Sequence, residues 1–550
     1  MTATAEAVAS PGGAHAGHAG TRRGSTLAGT GALVRFILRR DRVRLPVWIV
    51  SLTLLVLTTA ASVKGLYPTQ ADLEAGAEPM YDNVAAVALN GPTYGIDTYG
   101  GQIVFQIGSF GYAAVALMGM FLVGRHTRAD EETGRTELLR ATVVGRNAPV
   151  TAVLVVMAGA FALLGTLIAL SVAAQDVPAG GAWLYGAAMG GFGFAFACLT
   201  AVTVQLAEHN RAALGLAGVA LGAAYLLRAV GDIGNGVLSW LSPMGWAQYT
   251  KPFAGDRWWP LLLLAAAAAA LVATAFGLLS RRDLGGGLVP PRPGPAHAAE
   301  SLGRPLGLAT RLQRAALVAW AAGLVATGVA YGSIGQDVED FIGDNESFRD
   351  MIAQAGGDLT DSYFATSLEM IALIAGGFAI SSTLRLRSEE SAGRAEPLLV
   401  TGIGRARWAA SHLVVALAGS AAVMLAAGGA MAVTHAAIAG DAGEAWPILG
   451  ATVALVPALW VLVGLAFALF GLVPRWSAAA WAVLAGAFVI GVLGELLELP
   501  GAVMALSPYH HVPAMPAEGF DPPAAAGLLA VAAAALAAGF AGFRRRDAGV

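Results

Sequence analysis

Long stretches in which nearly every side chain is apolar alternate with short polar segments along this chain. A bilayer-crossing helix needs about 20 such residues. Runs of that length lie at 45–63, 102–123, 149–173, 183–206, 212–231 and 259–279. A second set lies at 314–332, 362–383, 409–435, 447–473, 477–497 and 524–543. The pattern predicts an all-α integral membrane protein with twelve transmembrane helices in two groups of six. Between the groups, 284–310 is rich in proline and glycine and reads as a cytoplasmic linker. The expected division is a tail over 1–26, a first six-span half over 27–283, the linker, and a second half over 311–550. The tail is rich in alanine and glycine and has no basic segment leading into an apolar run. It reads as disordered and cytoplasmic, not as a signal peptide.

Composition agrees with that pattern. Of 550 residues, 56% are hydrophobic and 13% charged, with a mean hydropathy of +0.65. Soluble domains carry about 25% charged residues, so too few ions are present to cover a water-soluble globule of this size. The net charge of −3 excludes an overall basic nucleic-acid binder and an acidic disordered chain. The single cysteine, Cys198, lies within the apolar GFAFACLTAV and reads as a small core residue. No histidine or cysteine spacing suggests a metal site. With the N-terminus placed inside, 28 of the 33 basic residues fall in inward-facing segments, as positively charged loops require. Both termini are then cytoplasmic and the number of crossings is even.

The polar segments carry a repeat. The loop Arg128–Arg146 (RADEETGRTELLRATVVGR) recurs 259 residues later as Arg387–Arg405 (RSEESAGRAEPLLVTGIGR). Arg128, Glu131, Gly134, Arg135, Glu137, Thr142, Gly145 and Arg146 are matched by Arg387, Glu390, Gly393, Arg394, Glu396, Thr401, Gly404 and Arg405. Leu241-Ser242-Pro243 recurs as Leu506-Ser507-Pro508, and Arg281-Arg282-Asp283 as Arg545-Arg546-Asp547. The two halves are therefore parallel repeats about an axis along the membrane normal. Glu131 and Arg135 stand four apart with the acid first, as do Glu390 and Arg394, the favourable order for a helical ion pair. Each loop thus reads as a short polar surface helix containing a glycine. Keeping one charged pattern in both copies points to one kind of partner met twice. The chain has no G-x-x-x-x-G-K-[ST] phosphate loop, and its two lysines, Lys64 and Lys251, lie in unrelated contexts. Any nucleotide hydrolysis must come from another polypeptide.

On these residues the chain resembles the type-2 ATP-binding-cassette (ABC) export permeases. The R-x-x-E-x-x-G-R-x-E loop after the second span is similar to their coupling segment. The fused twelve-span layout and the LSWLSPMGW…PFAGDRWWP stretch (Leu238–Pro260) resemble the actinobacterial polyketide-antibiotic and multidrug exporter branch. The resemblance, over roughly residues 30–547, implies a permease in the bacterial plasma membrane that expels hydrophobic compounds. It implies two copies of a separate ATPase docked on 124–148 and 383–407, with ATP and Mg bound by that partner and no cofactor in this chain. The coupling residues would be Arg128, Glu131, Gly134, Arg135, Glu137 and Arg146, with Arg387, Glu390, Gly393, Arg394, Glu396 and Arg405. Pro397 stands where the first copy has Leu138, and Ser391 where it has Glu132, so the two docking sites are expected to be unequal. The basic stretch Leu33–Arg44 would be a connecting helix lying on the inner leaflet.

Ionisable groups within a span mark candidate pathway positions. Glu369 lies within the eighth span. Arg228 and Asp232, four apart, lie toward the outer end of the fifth, and Glu495 and Glu498 at the matching end of the eleventh. By resemblance, the second and fifth spans of each half line the cavity, which adds Gln102, Phe105, Gln106, Phe110, Tyr112, Tyr225 and Phe364. Each of these serves equally as packing, and Arg228–Asp232 equally as a structural ion pair. Trp240, Trp246, Trp258 and Trp259 read as an interfacial aromatic belt. The alternatives are an ion-coupled secondary transporter with 6+6 parallel repeats and a polytopic membrane enzyme. The duplicated charged loops favour the ATPase-coupled reading.

Overall fold

The computed structural model describes residues 25–546, except 82, 141–143, 284, 290–293, 345–358 and 494–498. All but the last two residues of the expected tail, and also Thr142, Glu495, Glu498 and Asp547, lie outside that set. The described residues are helical wherever they are regular, with no β-strand among them. The chain divides into two compact units, Met1–Asp82 with Val87–Arg292 and Asn83–Ala86 with Pro293–Val550.

The first half holds α1 (Thr30–Arg40), α2 (Arg44–Leu66), α3 (Gln70–Tyr81), α4 (Val84–Asn90), α5 (Tyr99–His126) and α6 (Arg128–Glu132). After these come α7 (Arg135–Arg140), α8 (Ala148–Ala173), α9 (Ala179–Leu206), α10 (Asn210–Ile233), α11 (Pro243–Gln248) and α12 (Pro260–Arg281). The second half holds α13 (Pro305–Asp344), α14 (Leu359–Thr383), α15 (Arg385–Ser391), α16 (Ala395–Val400) and α17 (Arg405–Ala439). It continues with α18 (Ala445–Ala454), α19 (Val456–Leu472), α20 (Ala480–Leu493), α21 (Gly501–Met504) and α22 (Pro522–Arg545).

Eleven helices among the described residues are long and apolar enough to cross a membrane, against the twelve expected. All six expected spans of the first half are among them. The exception is the span expected at 477–497. Its beginning is a 3₁₀ turn, Pro474–Ala479, and α20 has only 14 described residues before 494–498 leave the description. At about 1.5 Å per residue, that length falls short of a hydrocarbon layer of about 30 Å. Helix α13 also begins earlier than expected, inside the linker. Pro305 stands at its first position, where a missing N–H costs nothing, and Ala309 is already buried.

Small residues bring the helices together, as suits packing in lipid, where apolar surface alone gives no preference for protein over acyl chain. Helices α8 and α9 meet at Gly165 and Gly186, each of whose missing Cβ would lie within 2.6 Å of the other's carbonyl oxygen. In the second half, α19 and α22 meet at Gly471, whose missing Cβ would lie 2.1 Å from the Gly539 carbonyl oxygen.

Helix α5 breaks at Gly108, with φ 45° and ψ −145°. The break lets the chain close onto the end of α4. The Asn90 carbonyl accepts from Ser109 Oγ at 3.0 Å and from Gln248 Nε2 at 3.1 Å. A Cβ on Gly108 would stand 2.6 Å from that carbonyl. We expect Gly108→Ala to cost roughly 1–3 kcal/mol through strain and clash, read as a lowered Tm in detergent. Gly159→Ala, a helical position with open space around it, serves as control and should leave Tm unchanged or raise it. An unaltered Tm for Gly108→Ala would contradict this account of the break.

Candidate functional site

The first charged loop follows α5 as two short helices, α6 and α7, with Gly134 between them at φ +71°. A left-handed residue ends one helix and re-aims the next. Arg128, 1% exposed, reaches back under α6. Its Nε donates to the Glu208 carbonyl at 2.7 Å and its Nη1 to Glu131 at 2.5 Å. The other oxygen of Glu131 accepts from Arg282, just past the end of α12, at 2.5 Å. Asp130 pairs with Arg40 of α1 at 2.5 Å and with Arg135 at 3.3 Å. Arg146 donates to the carbonyls of Leu279, Ser280 and Arg282, at 2.8, 3.2 and 2.9 Å, a cation set on the C-terminus of α12. Asp41, at the end of α1, pairs with His126 and Arg125.

The second loop is built the same way. Gly393, at φ +68°, separates α15 from α16. Glu390 accepts both terminal nitrogens of Arg546, each at 2.8 Å, a bidentate pair. Glu389 takes the place of Asp130 and pairs with Arg385 and Arg394, both at 2.7 Å. Its hydrogen bond raises the Arg394 guanidinium above its already high pKa. Arg405 donates to the Arg546 carbonyl at 2.8 Å, as Arg146 does to that of Arg282. Arg546 also lies over the Phe470 and Phe543 rings, at 4.7 and 5.0 Å.

The helical pairs expected between Glu131 and Arg135, and between Glu390 and Arg394, do not form. The left-handed glycine puts each arginine on the following helix or at its entry, where the neighbouring acid, Asp130 or Glu389, takes it. Glu131 and Glu390 turn inward, with side chains 13% and 8% exposed. The outward positions of each loop are Glu137 and Leu138 on α7, and Glu396, Pro397 and Val400 on α16. Arg387 is half-buried on α15. The two loops differ at Glu132, whose carboxylate accepts from the Asn210 amide at 2.7 Å and so ties the loop to the start of α10. Ser391 in that position reaches only the Ser388 carbonyl of its own helix, at 3.4 Å.

Five of the nine candidate pathway residues, Gln102, Phe105, Tyr112, Arg228 and Phe364, are buried. Arg228, wholly buried, donates to the carbonyls of Val87 and Leu89 at 2.9 and 3.3 Å, which caps the last turn of α4. It lies 4.8 Å over the Tyr225 ring and 3.6 Å from Asp232, whose other oxygen accepts from Ser239 at 2.6 Å. Tyr225 donates toward the Leu89 carbonyl. Gln102 is buried and donates to Tyr67 at 3.2 Å. Phe105 and Tyr112 line a cavity of about 20 Å³, room for one water and no more. Gln106 is half-buried, and Phe110 is 60% exposed. Phe364 is buried edge-on to His435 at 4.6 Å. Glu369, half-buried, lines the cavity of about 380 Å³ considered below. Trp240 stacks on Trp259 at 5.4 Å, and both are exposed, as is Trp258.

Residues 302–544 match the family described as "Multidrug efflux system permease Rv1217c, C-terminal domain". The whole chain is 40% identical over 536 residues, 97% of each protein, to the multidrug efflux system permease protein Rv1217c of Mycobacterium tuberculosis. The chain belongs to the multidrug efflux permease family. It is a multi-pass membrane protein of the ABC export type to which its loop motifs point.

Half of the residues that hold each loop are not identical between the two copies or lie far from the loop in sequence. Asp130 and Glu389 share charge but not identity, so identity between the two loops does not mark them. Arg282 and Arg546 sit in the repeated Arg-Arg-Asp, a signal present in the sequence but not connected to the loops. Removing one partner of a buried pair costs about 3–5 kcal/mol, while replacing both with apolar groups costs little. We therefore expect Glu131→Leu to speed hydrogen exchange across 128–140 by at least about tenfold. Glu131→Leu combined with Arg282→Met should restore only part of the protection, because the buried Arg128 also loses its carboxylate. Exchange unaltered in the single variant would show that the pair does not hold the loop.

Proposed function

We propose that the permease is the membrane subunit of an ABC exporter that moves hydrophobic or amphiphilic compounds out of the cell. ATP, bound with Mg by two copies of a separate ATPase, drives it from sites against 124–148 and 383–407; the permease has no nucleotide site of its own. In this reading, 27–283 and 311–550 are parallel six-span repeats of type-2 fold joined by the linker 284–310, with α20 in the eleventh crossing to make twelve. The cytoplasmic tail, the linker and both termini lie on the side of the charged loops, in the bacterial plasma membrane among its lipids. The drug class follows the name of the Mycobacterium relative.

The observation that carries this reading is the duplicated clamp. Both loops are tied by their inner acids to the last helix of their own half, and both leave a glutamate, Glu137 or Glu396, facing outward on a short helix. A charged loop serving only solubility has no need for the same buried lattice twice. Two outward-facing short helices that each present a glutamate suit a basic position on a partner present in two copies. The coupling contacts then move outward from Glu131 and Glu390, which hold the shape, to Glu137, Leu138, Glu396 and Val400, which meet the partner. Leu138 and Val400 are 75% and 87% exposed, apolar anchors at the loop tips.

The double variant Glu137→Lys with Glu396→Lys should lose ATPase copurification and ATP-dependent efflux, while the purified permease keeps its Tm. Copurification and efflux at wild-type level would overturn the docking assignment.

A further inference from the structure

The two halves treat one repeated serine differently. Ser242, in the first Leu-Ser-Pro, donates its Oγ to the Ala224 carbonyl at 2.6 Å and accepts from the Met244 amide at 3.1 Å. Ser507, in the second, is 2% exposed, and its Oγ has no hydrogen-bond partner among the described residues. Ser507 lines a cavity of about 380 Å³ within the second half, in the range of small-molecule sites. The cavity is walled by α14, by α18 with Leu455 after it, by α20 and by the segment 504–518. Its apolar lining includes Leu455, Ile490 and Met515, and its ionisable lining is Glu369, Glu518 and His510. No lysine or arginine is among the described lining residues. Glu518 is exposed, with one oxygen accepting from the Ala514 amide at 3.1 Å. Glu369 lies 14 residues before the end of α14 at Thr383, roughly 21 Å along the helix from the charged loop. Helix α20 passes it at Gly491, where a Cβ would stand 2.8 Å from the carboxylate. At the equivalent position, the first half carries Phe110.

We propose that this cavity is a binding site for lipophilic monocations, present in the second half only. Glu369 meets the charge, Ser507 offers a hydrogen bond that no described residue takes up, and Leu455, Ile490 and Met515 hold the apolar body. A carboxylate set beside apolar walls favours an amphiphile carrying one positive charge over a neutral one of equal size, because the charge-assisted contact has no counterpart for the neutral molecule. This deepens the export reading by naming a substrate class and its place, and it rests on that reading only for the direction of movement.

The test uses full-length permease in nanodiscs without any ATPase, with ethidium as the cationic probe and Nile red as the neutral one, followed by fluorescence anisotropy. Glu369→Gln should weaken ethidium by about tenfold or more and leave Nile red within about twofold, while Glu369→Asp keeps most of the ethidium affinity. Thr366→Trp, which fills the cavity from an exposed position of α14, should weaken both probes. Ethidium affinity unchanged by Glu369→Gln, or weakened no more than that of Nile red, overturns the charge assignment. Affinities unchanged by Thr366→Trp overturn the location. Failure of ATP-driven efflux with ethidium binding intact counts against the export reading and not against this site.

Discussion

Glu131 and Glu390 each lie against an arginine that ends the last helix of their own half, Arg282 at 2.5 Å and Arg546 at 2.8 Å. These arginines do more than neutralise the acids. Their backbone carbonyls receive Arg146 and Arg405, so the two ends of each charged loop are fastened to the same helix terminus. At the edge of a bilayer, a loose charged loop would sample water freely and transmit nothing. Fastened at both ends, it moves only as its half moves. The outward α7 and α16 are thereby tied to the transmembrane helices, and under the proposed function a push on either would reach the spans.

The same fastening occurs in both halves, while its surroundings differ. Asp130 finds its second cation on α1, through Arg40, whereas Glu389 finds it within its own helix, through Arg385. Glu132 adds a tie to α10 that Ser391 is too short to make. Farther from the loops the divergence is larger. The first half is closed by α4, whose carbonyls take Arg228, Tyr225 and Gln248. The second half holds a cavity of about 380 Å³. The first half has a hollow of similar volume, about 390 Å³, but it lies between α8 and α9, away from the position that matches Glu369.

Much of this was legible in the sequence, for identifiable reasons. Spans announce themselves because lipid tolerates only long apolar helices whose backbone groups are satisfied internally, and runs such as 149–173 became Ala148–Ala173 almost unchanged. The loops were legible because charge is scarce here, so a repeated charged pattern stands out. Their geometry was less so. The spacing of Glu131 and Arg135 fits a helix, but Gly134 adopts a left-handed turn that no spacing rule registers. The partners Arg282 and Arg546 lie about 150 residues away in sequence. Arg228 also reads as a pathway residue when seen alone. Its role appears only once α4, too short to register as a span, presents its carbonyls. The site of Glu369 became a cavity through the segment 504–518, whose turns carry no periodic signal.

Under the proposed function, the outward faces of α7 and α16, and not the buried acids beneath them, meet a partner in two copies. Cys198 is the chain's single cysteine and is buried, so a Cys198→Ser background permits one new cysteine at a time. Leu138→Cys and Pro397→Cys occupy equivalent exposed positions, and each can carry a photoreactive maleimide in membranes that contain the candidate ATPase. The account predicts ATPase adducts from both positions and none from Arg128→Cys. Adducts absent from positions 138 and 397 while the ATPase copurifies would contradict it.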